Sequence, residues 1–138
     1  MRSKFLKEFE RAKQYLIIVE GKKDKFALQH LGFKRIFVIH QTGKSFGEKI
    51  EQIQEIVGRE KVCILTDFDK KGKKLYLLLK SKLQELGVRL DNSLRGLLLQ
   101  ERISHIEGIY HFMKNYELQN EKAKNGKNWN KHKKRKKY

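Results

Sequence analysis

Lys61-Val62-Cys63-Ile64-Leu65-Thr66-Asp67-Phe68-Asp69-Lys70-Lys71-Gly72 is the stretch that decides how the rest of the chain is read. Residues 62–66 form an apolar run too short for a helix, with a composition that suits a strand buried on both faces. The run ends in two carboxylates one residue apart, followed by two lysines and a glycine. An Asp-x-Asp in that position marks the carboxyl end of a parallel strand, the edge where open α/β sheets bind their ligands. Two carboxylates converging on one small volume repel each other unless a cation joins them, and hard oxygen donors suit Mg2+ or Mn2+.

Similar short runs predict further strands at 14–19, 35–39 and 88–90. The segments between them are amphipathic. Phe5, Leu6, Phe9 and Ala12 give a helix over 3–13, and Phe26, Ala27, Leu28 and Leu31 one that opens at Lys22 and stops at Gly32. Ser45 caps a helix with Phe46, Ile50, Ile53, Ile56 and Val57 on one face. Leu75, Leu78, Leu79, Leu83 and Leu86 give a helix over 73–86. A short helix over 94–99 follows, then one over 102–116 that turns Ile103, Ile106, Tyr110 and Met113 inward. Strands alternating with helices imply βαβ crossovers and a three-layer α/β/α domain around a four-stranded parallel sheet. Residues 1–118 are expected to form that domain, and 119–138, where apolar residues nearly vanish, a basic disordered tail.

The single cysteine, Cys63, excludes an internal disulfide and a cysteine-rich zinc site, and its place in a strand makes it a core residue. No apolar stretch approaches the roughly 18–20 residues of a membrane span, and the first residues carry charges where a signal peptide needs an apolar block. A cytoplasmic protein without membrane partners is expected. The formal charge is +17, and more than half of that excess lies outside residues 119–138. Such a charge calls for a polyanionic partner, nucleic acid first.

In a parallel sheet the residues that follow each strand gather on one edge. Glu20, Gly21 and Asp24, residues 41–45, Asp67 and Asp69, and Asp91 therefore come together there, with lysines around them. This juxtaposition fits metal-dependent phosphate chemistry. Gly43-Lys44-Ser45 mimics the end of a phosphate-binding loop, but the full pattern needs a glycine at position 38, which is Val. A helix N-terminus beside Lys44 retains a weaker phosphate-holding role. His105, Glu107 and His111 lack the spacing of a zinc motif, because histidines six apart on a helix face different ways. Trp129 and Tyr138, set among lysines, fit base stacking and a plain linker equally well.

Ile17-Ile18-Val19-Glu20-Gly21-Lys22-Lys23-Asp24 followed by Ile64-Leu65-Thr66-Asp67-Phe68-Asp69-Lys70-Lys71-Gly72 resembles the paired signatures of the Toprim family over about residues 14–92. That family includes bacterial primases, topoisomerases, recombination-repair proteins and the ribonuclease that matures 5S rRNA. The resemblance implies a Rossmann-like Toprim fold, Glu20 as proton-transferring acid/base, Asp67 and Asp69 as catalytic metal-binding acids, and Glu20 and Asp24 completing the metal site. Mg2+ or Mn2+ is the implied cofactor. The expected phosphate contacts are Lys22, Lys23, Lys44, Lys70 and Lys71, with Lys133, Lys134 and Arg135 in the tail. The chain has no room for a topoisomerase's tyrosine-bearing domain or a primase's zinc domain, so a small stand-alone Toprim protein is expected. Two functions follow: a Mg2+-dependent nuclease acting on structured RNA, or a nucleic-acid-binding protein that keeps the site without the chemistry, in ribosome, RNA-processing or DNA-repair assemblies.

Overall fold

A computed structural model of the chain describes residues 2–115; the basic tail expected from 119 onward, with Lys133, Lys134 and Arg135, lies outside them. The elements run α1 (Arg2–Ala12), β1 (Leu16–Val19), α2 (Lys22–His30), β2 (Ile36–Val38), α3 (Phe46–Val57), β3 (Lys61–Ile64), α4 (Lys70–Glu85), β4 (Arg89–Leu90) and α5 (Ser93–Gln100). A further helix, α6, covers 108–115. The four strands form one parallel sheet in the order β2-β1-β3-β4. The three-layer fold and all four strands are those expected from the sequence.

Alternation along the strands divides the core. Ile17, Val19, Cys63 and Leu65 face one layer, where they meet Phe5, Phe9 and Ala12 of α1, Leu28 of α2, Leu94 and Leu98 of α5, and Ile109 and Met113 of α6. Leu16, Ile18, Val62 and Ile64 face the other, against Ile50, Ile53 and Val57 of α3 and Leu79 and Leu83 of α4. The chain steps from β1 outward to β2, then crosses back to β3 on the far side of β1. Right-handed crossovers in opposite directions put their helices on opposite faces. A crevice therefore opens between the carboxyl ends of β1 and β3, where such sheets take their ligands.

Local readings differ from the structure in four places. In α3, Ile56 turns outward, while Ile50, Ile53 and Val57 are buried as expected. In α4 the inward line is Gly72, Leu79 and Leu83, with Leu75 and Tyr76 partly buried; Leu78 and Leu86 point outward. The helix starts at Lys70 rather than 73, because the Asp69 carboxylate accepts the Gly72 N–H and so caps it (2.8 Å). In α2, Asp24 and Leu28 share the buried face, so Phe26 lies roughly 200° around the helix and is exposed. The last helix begins at 108, not 102. Arg102 takes a positive φ of 59°, and in the backbone that follows the Ser104 carbonyl and the Ile106 N–H bond to the Asp67 turn. Ile103, Ile106 and Met113 are buried as expected from their spacing, the first two from a loop.

Candidate metal and nucleic-acid site

Parallel pairing of β1 and β3 brings Ile18 beside Ile64, so the chains leave the sheet together at Glu20 and Asp67. The Glu20 Oε2 accepts the Asp67 N–H at 2.8 Å. Asp67 Oδ1 accepts the Ile106 N–H at 2.8 Å, and Phe68 N–H donates to the Ser104 carbonyl at 2.9 Å. The 103–107 loop is thus stitched onto the Asp-x-Asp turn. Asp69 Oδ1 caps α4 as described, and Asp24 Oδ2 accepts the Gly21 N–H at 3.1 Å. Each of the four carboxylates expected at the site is held by one oxygen to a backbone N–H. Their second oxygens, Glu20 Oε1, Asp24 Oδ1, Asp67 Oδ2 and Asp69 Oδ2, are left for other work.

Gly72 makes this turn possible. A Cβ there would lie 2.1 Å from the Asp67 carbonyl oxygen and 2.9 Å from its Cα. The first turn of α4 therefore presses directly on the Asp67 backbone. The Thr66 hydroxyl donates to the Gly72 carbonyl from the same side (2.8 Å). Gly21 is different: its backbone is ordinarily extended, and a Cβ would meet nothing nearer than Asp24 Oδ2 at 4.0 Å.

Beneath the acids lies Arg95, a buried cation that the sequence reading missed. Its guanidinium sits between the rings of Phe68 (4.5 Å) and Tyr76 (4.1 Å) and donates to the carbonyls of Thr66 (2.9 Å) and Ile64 (3.3 Å). Burial lowers its pKa, and Tyr76, Cys63, Glu20 and Asp67 act the other way. It braces the end of β3 and supplies positive charge below the carboxylates. Asp24 carries the cost of crowding: burial first, then Asp67, Glu20 and Glu107, push its pKa up to about 6 against the lowering effect of the Gly21 N–H.

His105, set aside above because its spacing to His111 is not that of a zinc motif, also comes to the acids. Its Nε2 lies 3.8 Å from Asp69 Oδ2, and one donor atom from each of Asp67, Asp69 and His105 falls within 4.8 Å of the others. Two carboxylates and an imidazole form a donor set that fits a divalent cation, with one oxygen of each acid already fixed by the backbone. Among the described residues Glu20 and Asp24 flank this group without entering it. Asp91, expected on the same edge, is tied to Arg11 (3.3 Å) and to the Ser93 N–H (3.0 Å), so it braces α1 and α5.

Lys22 and Lys23 open α2 and Lys70 and Lys71 open α4, all exposed. Helix N-termini disfavour cations, so this placement suits an anion that both helices and lysines can share. Lys44 donates to Gln52 Oε1 (2.6 Å), while Ser45 and Glu48 close the N-terminus of α3 with a reciprocal pair of side-chain bonds. That capping satisfies the Ser45 and Glu48 N–H groups at the α3 terminus. His111 and Glu107 are exposed; Glu107 contributes charge near Asp24.

This edge, with Glu20-Gly21 leaving one strand and Asp67-x-Asp69 the next, is a Toprim arrangement, and the Toprim domain model matches residues 15–106. The chain belongs to the Toprim family, whose domains bind divalent metal and serve nucleic-acid-related functions. It is similar to the UPF0292 protein of Methanosarcina barkeri, 34% identical over 108 residues covering 75% of this chain and 72% of that one. A UPF0292 protein of Thermococcus onnurineus is 38% identical over 104 residues, again 75% of this chain and 72% of the relative. Among solved structures, a protein from Aquifex aeolicus superposes with a TM-score of 0.65 at 30% identity, covering 77% of this chain and 95% of the other. No helix among the described residues is long and apolar enough to cross a membrane.

Proposed function

We propose that this protein is a Mg2+-dependent phosphodiesterase that cuts structured RNA in the cytoplasm. The observation that carries the reading is the carboxylate cluster between β1 and β3, anchored through one oxygen each and rimmed by the lysines of two helix N-termini. Asp67 and Asp69 hold the divalent ion, with His105 beside them and Glu20 and Asp24 completing its surroundings. A bound Mg2+ or Mn2+ supplies charge stabilisation for an in-line displacement at phosphorus. Lys22, Lys23, Lys70 and Lys71 bind the flanking phosphates and set the register of the strand. Glu20, fixed through Oε2, exchanges a proton through Oε1 with the attacking or leaving oxygen. The preference for RNA follows the resemblance to the 5S rRNA-maturing ribonuclease.

One observation favours a protein that binds RNA without cutting it: Glu20 is only 9% exposed, and one of its oxygens is engaged by the Asp67 N–H. Glu20→Gln separates the two. If Glu20 moves a proton, the variant binds structured RNA like wild type but loses at least about a hundredfold in Mg2+-dependent cleavage. If wild type binds tightly yet cuts neither RNA nor DNA with Mg2+ or Mn2+, the binding reading replaces the nuclease. Calorimetry that detects no divalent cation, with RNA or without, ends the metal mechanism.

A further inference from the structure

We infer that the groove between α2 and the outer strand β2 is a pocket for an unpaired nucleobase of the bound strand. The inference rests on the nucleic-acid reading above and names the feature of the substrate that reading leaves open. The groove has a volume of about 690 Å3, within the range of about 300–1,000 Å3 typical of small-molecule sites. Its floor is Ile36 and Val38, and Phe26 stands at its wall with 66% of its surface exposed. The nearest aromatic partner of Phe26 is His30, edge-on at 5.4 Å. An exposed ring continuous with an apolar floor gives a base a surface to stack on.

Polar groups complete the site. Gln41 Nε2 donates to the Val38 carbonyl (2.6 Å), which leaves Gln41 Oε1 as an acceptor. Gln52 Oε1 accepts from Lys44, which leaves its NH2 as a donor. One acceptor and one donor over an apolar floor match the edge of a base, which carries both kinds of group. Charge selects the occupant: Lys22, Lys23 and Lys25 line the groove, and among the described residues no carboxylate does. Lys22 and Lys23 directly follow the Glu20-Gly21 turn, so a strand with its base in the groove runs its phosphates toward the acid cluster. A paired base offers no free face, so the occupant comes from a loop, bulge or single-stranded end.

The test uses the full chain in chelator, so that binding is read without cleavage. Anisotropy is measured for a short unstructured oligonucleotide carrying 2-aminopurine and for a blunt duplex of equal length. Phe26→Ala should weaken single-strand binding on the order of tenfold. Duplex binding and the salt dependence should stay unchanged, since no charge is removed. Phe26→Trp should restore or tighten single-strand binding and quench the 2-aminopurine. If wild type binds both oligonucleotides and Phe26→Ala changes neither, or changes both equally, the pocket is overturned and the nucleic-acid reading stands. If wild type binds neither, both fall. If Phe26→Ala instead lowers the sedimentation mass without altering single-strand affinity, the groove is a contact between copies of the chain and the inference is likewise overturned.

Discussion

The two strand ends that build the site are organised in opposite ways. At the end of β3 the chain is locked: Gly72 presses on Asp67, Asp69 caps α4, the 103–107 loop is stitched to Asp67 and Phe68, and Arg95 braces the carbonyls below. At the end of β1 the turn is loose by comparison. Glu20 and Asp24 each hold one hydrogen bond, Gly21 has open space beside it, and Lys22 and Lys23 face solvent. The difference assigns the turns separate tasks. A metal site needs carboxylates whose oxygens do not move when the ion leaves, which the β3 turn provides. A phosphate backbone that must arrive and depart needs an approach without bulk, which the β1 turn leaves open.

The sharpest way to break this contrast is Gly72→Ala. A methyl group cannot occupy a point 2.1 Å from a backbone oxygen, and all three nearest atoms belong to the Asp67 backbone, with no flexible side-chain tip that could swing away. Either α4 or the Asp67 turn must shift, at a cost of ~3 kcal/mol or more. Urea denaturation should report that loss, and calorimetry should find weakened divalent-cation binding, because Asp67 and Asp69 move apart. A variant as stable as wild type would mean that the β3 turn yields easily and is no more rigid than its partner.

Much of this architecture is legible in the sequence, because strands and their turns are local signals. The runs before Glu20-Gly21 and Asp67-x-Asp69 announce themselves by composition, and parallel alternation brings their ends together. What escaped depends on contacts distant in sequence. Ile103 and Ile106 have the spacing of a helix, and nothing local reveals that the Ser104 carbonyl between them accepts the Phe68 N–H or that the Ile106 N–H donates to Asp67 Oδ1. His105 reaches Asp69 only because that helix does not form. Arg95, one charge in a short segment, carries no mark of being buried. A signal was available for Phe26: the inward pair Asp24 and Leu28 is four residues apart, which turns residue 26 outward.

A smaller effect sharpens the comparison on the β1 side. The Asp24 carboxyl has a folded pKa of about 6 against an ordinary 3.8, raised by burial and by Asp67, Glu20 and Glu107. A raised pKa means that the folded protein takes up the proton first. The associated stability is fully present below about pH 4 and is lost as pH rises through about 6. Asp24→Asn removes the charge while its amide oxygen can still accept the Gly21 N–H. In chelator at pH 7.5 to 8 (about two units above the folded pKa), the variant should be more stable by ~1 kcal/mol, the linkage value discounted for partial solvent screening. Near pH 3.5 the difference should vanish. Equal stability at both pH values would show that the loose turn carries no electrostatic strain.

The last test touches stability least. Gly21 occupies extended backbone open to any residue, with room for a methyl group. Its place as N-cap of α2 favours glycine modestly over alanine, and neither its φ nor its surroundings demand a glycine. Gly21→Ala should leave the melting temperature within the effect of ~0.5 kcal/mol expected for a neutral surface change, and loss of backbone freedom in the unfolded chain acts in its favour. The methyl would nonetheless stand 4.0 Å from Asp24 Oδ2, on the turn where the proposed phosphate approaches the backbone. Displacing a reacting phosphate by about an ångström costs on the order of tenfold to a hundredfold in rate. RNA cleavage and melting should therefore be measured on the same preparation of Gly21→Ala. Unchanged melting with reduced cleavage marks the β1 turn as the approach to the site. Unchanged cleavage would show that no ligand passes close to Gly21, and the openness of this turn would then need another explanation.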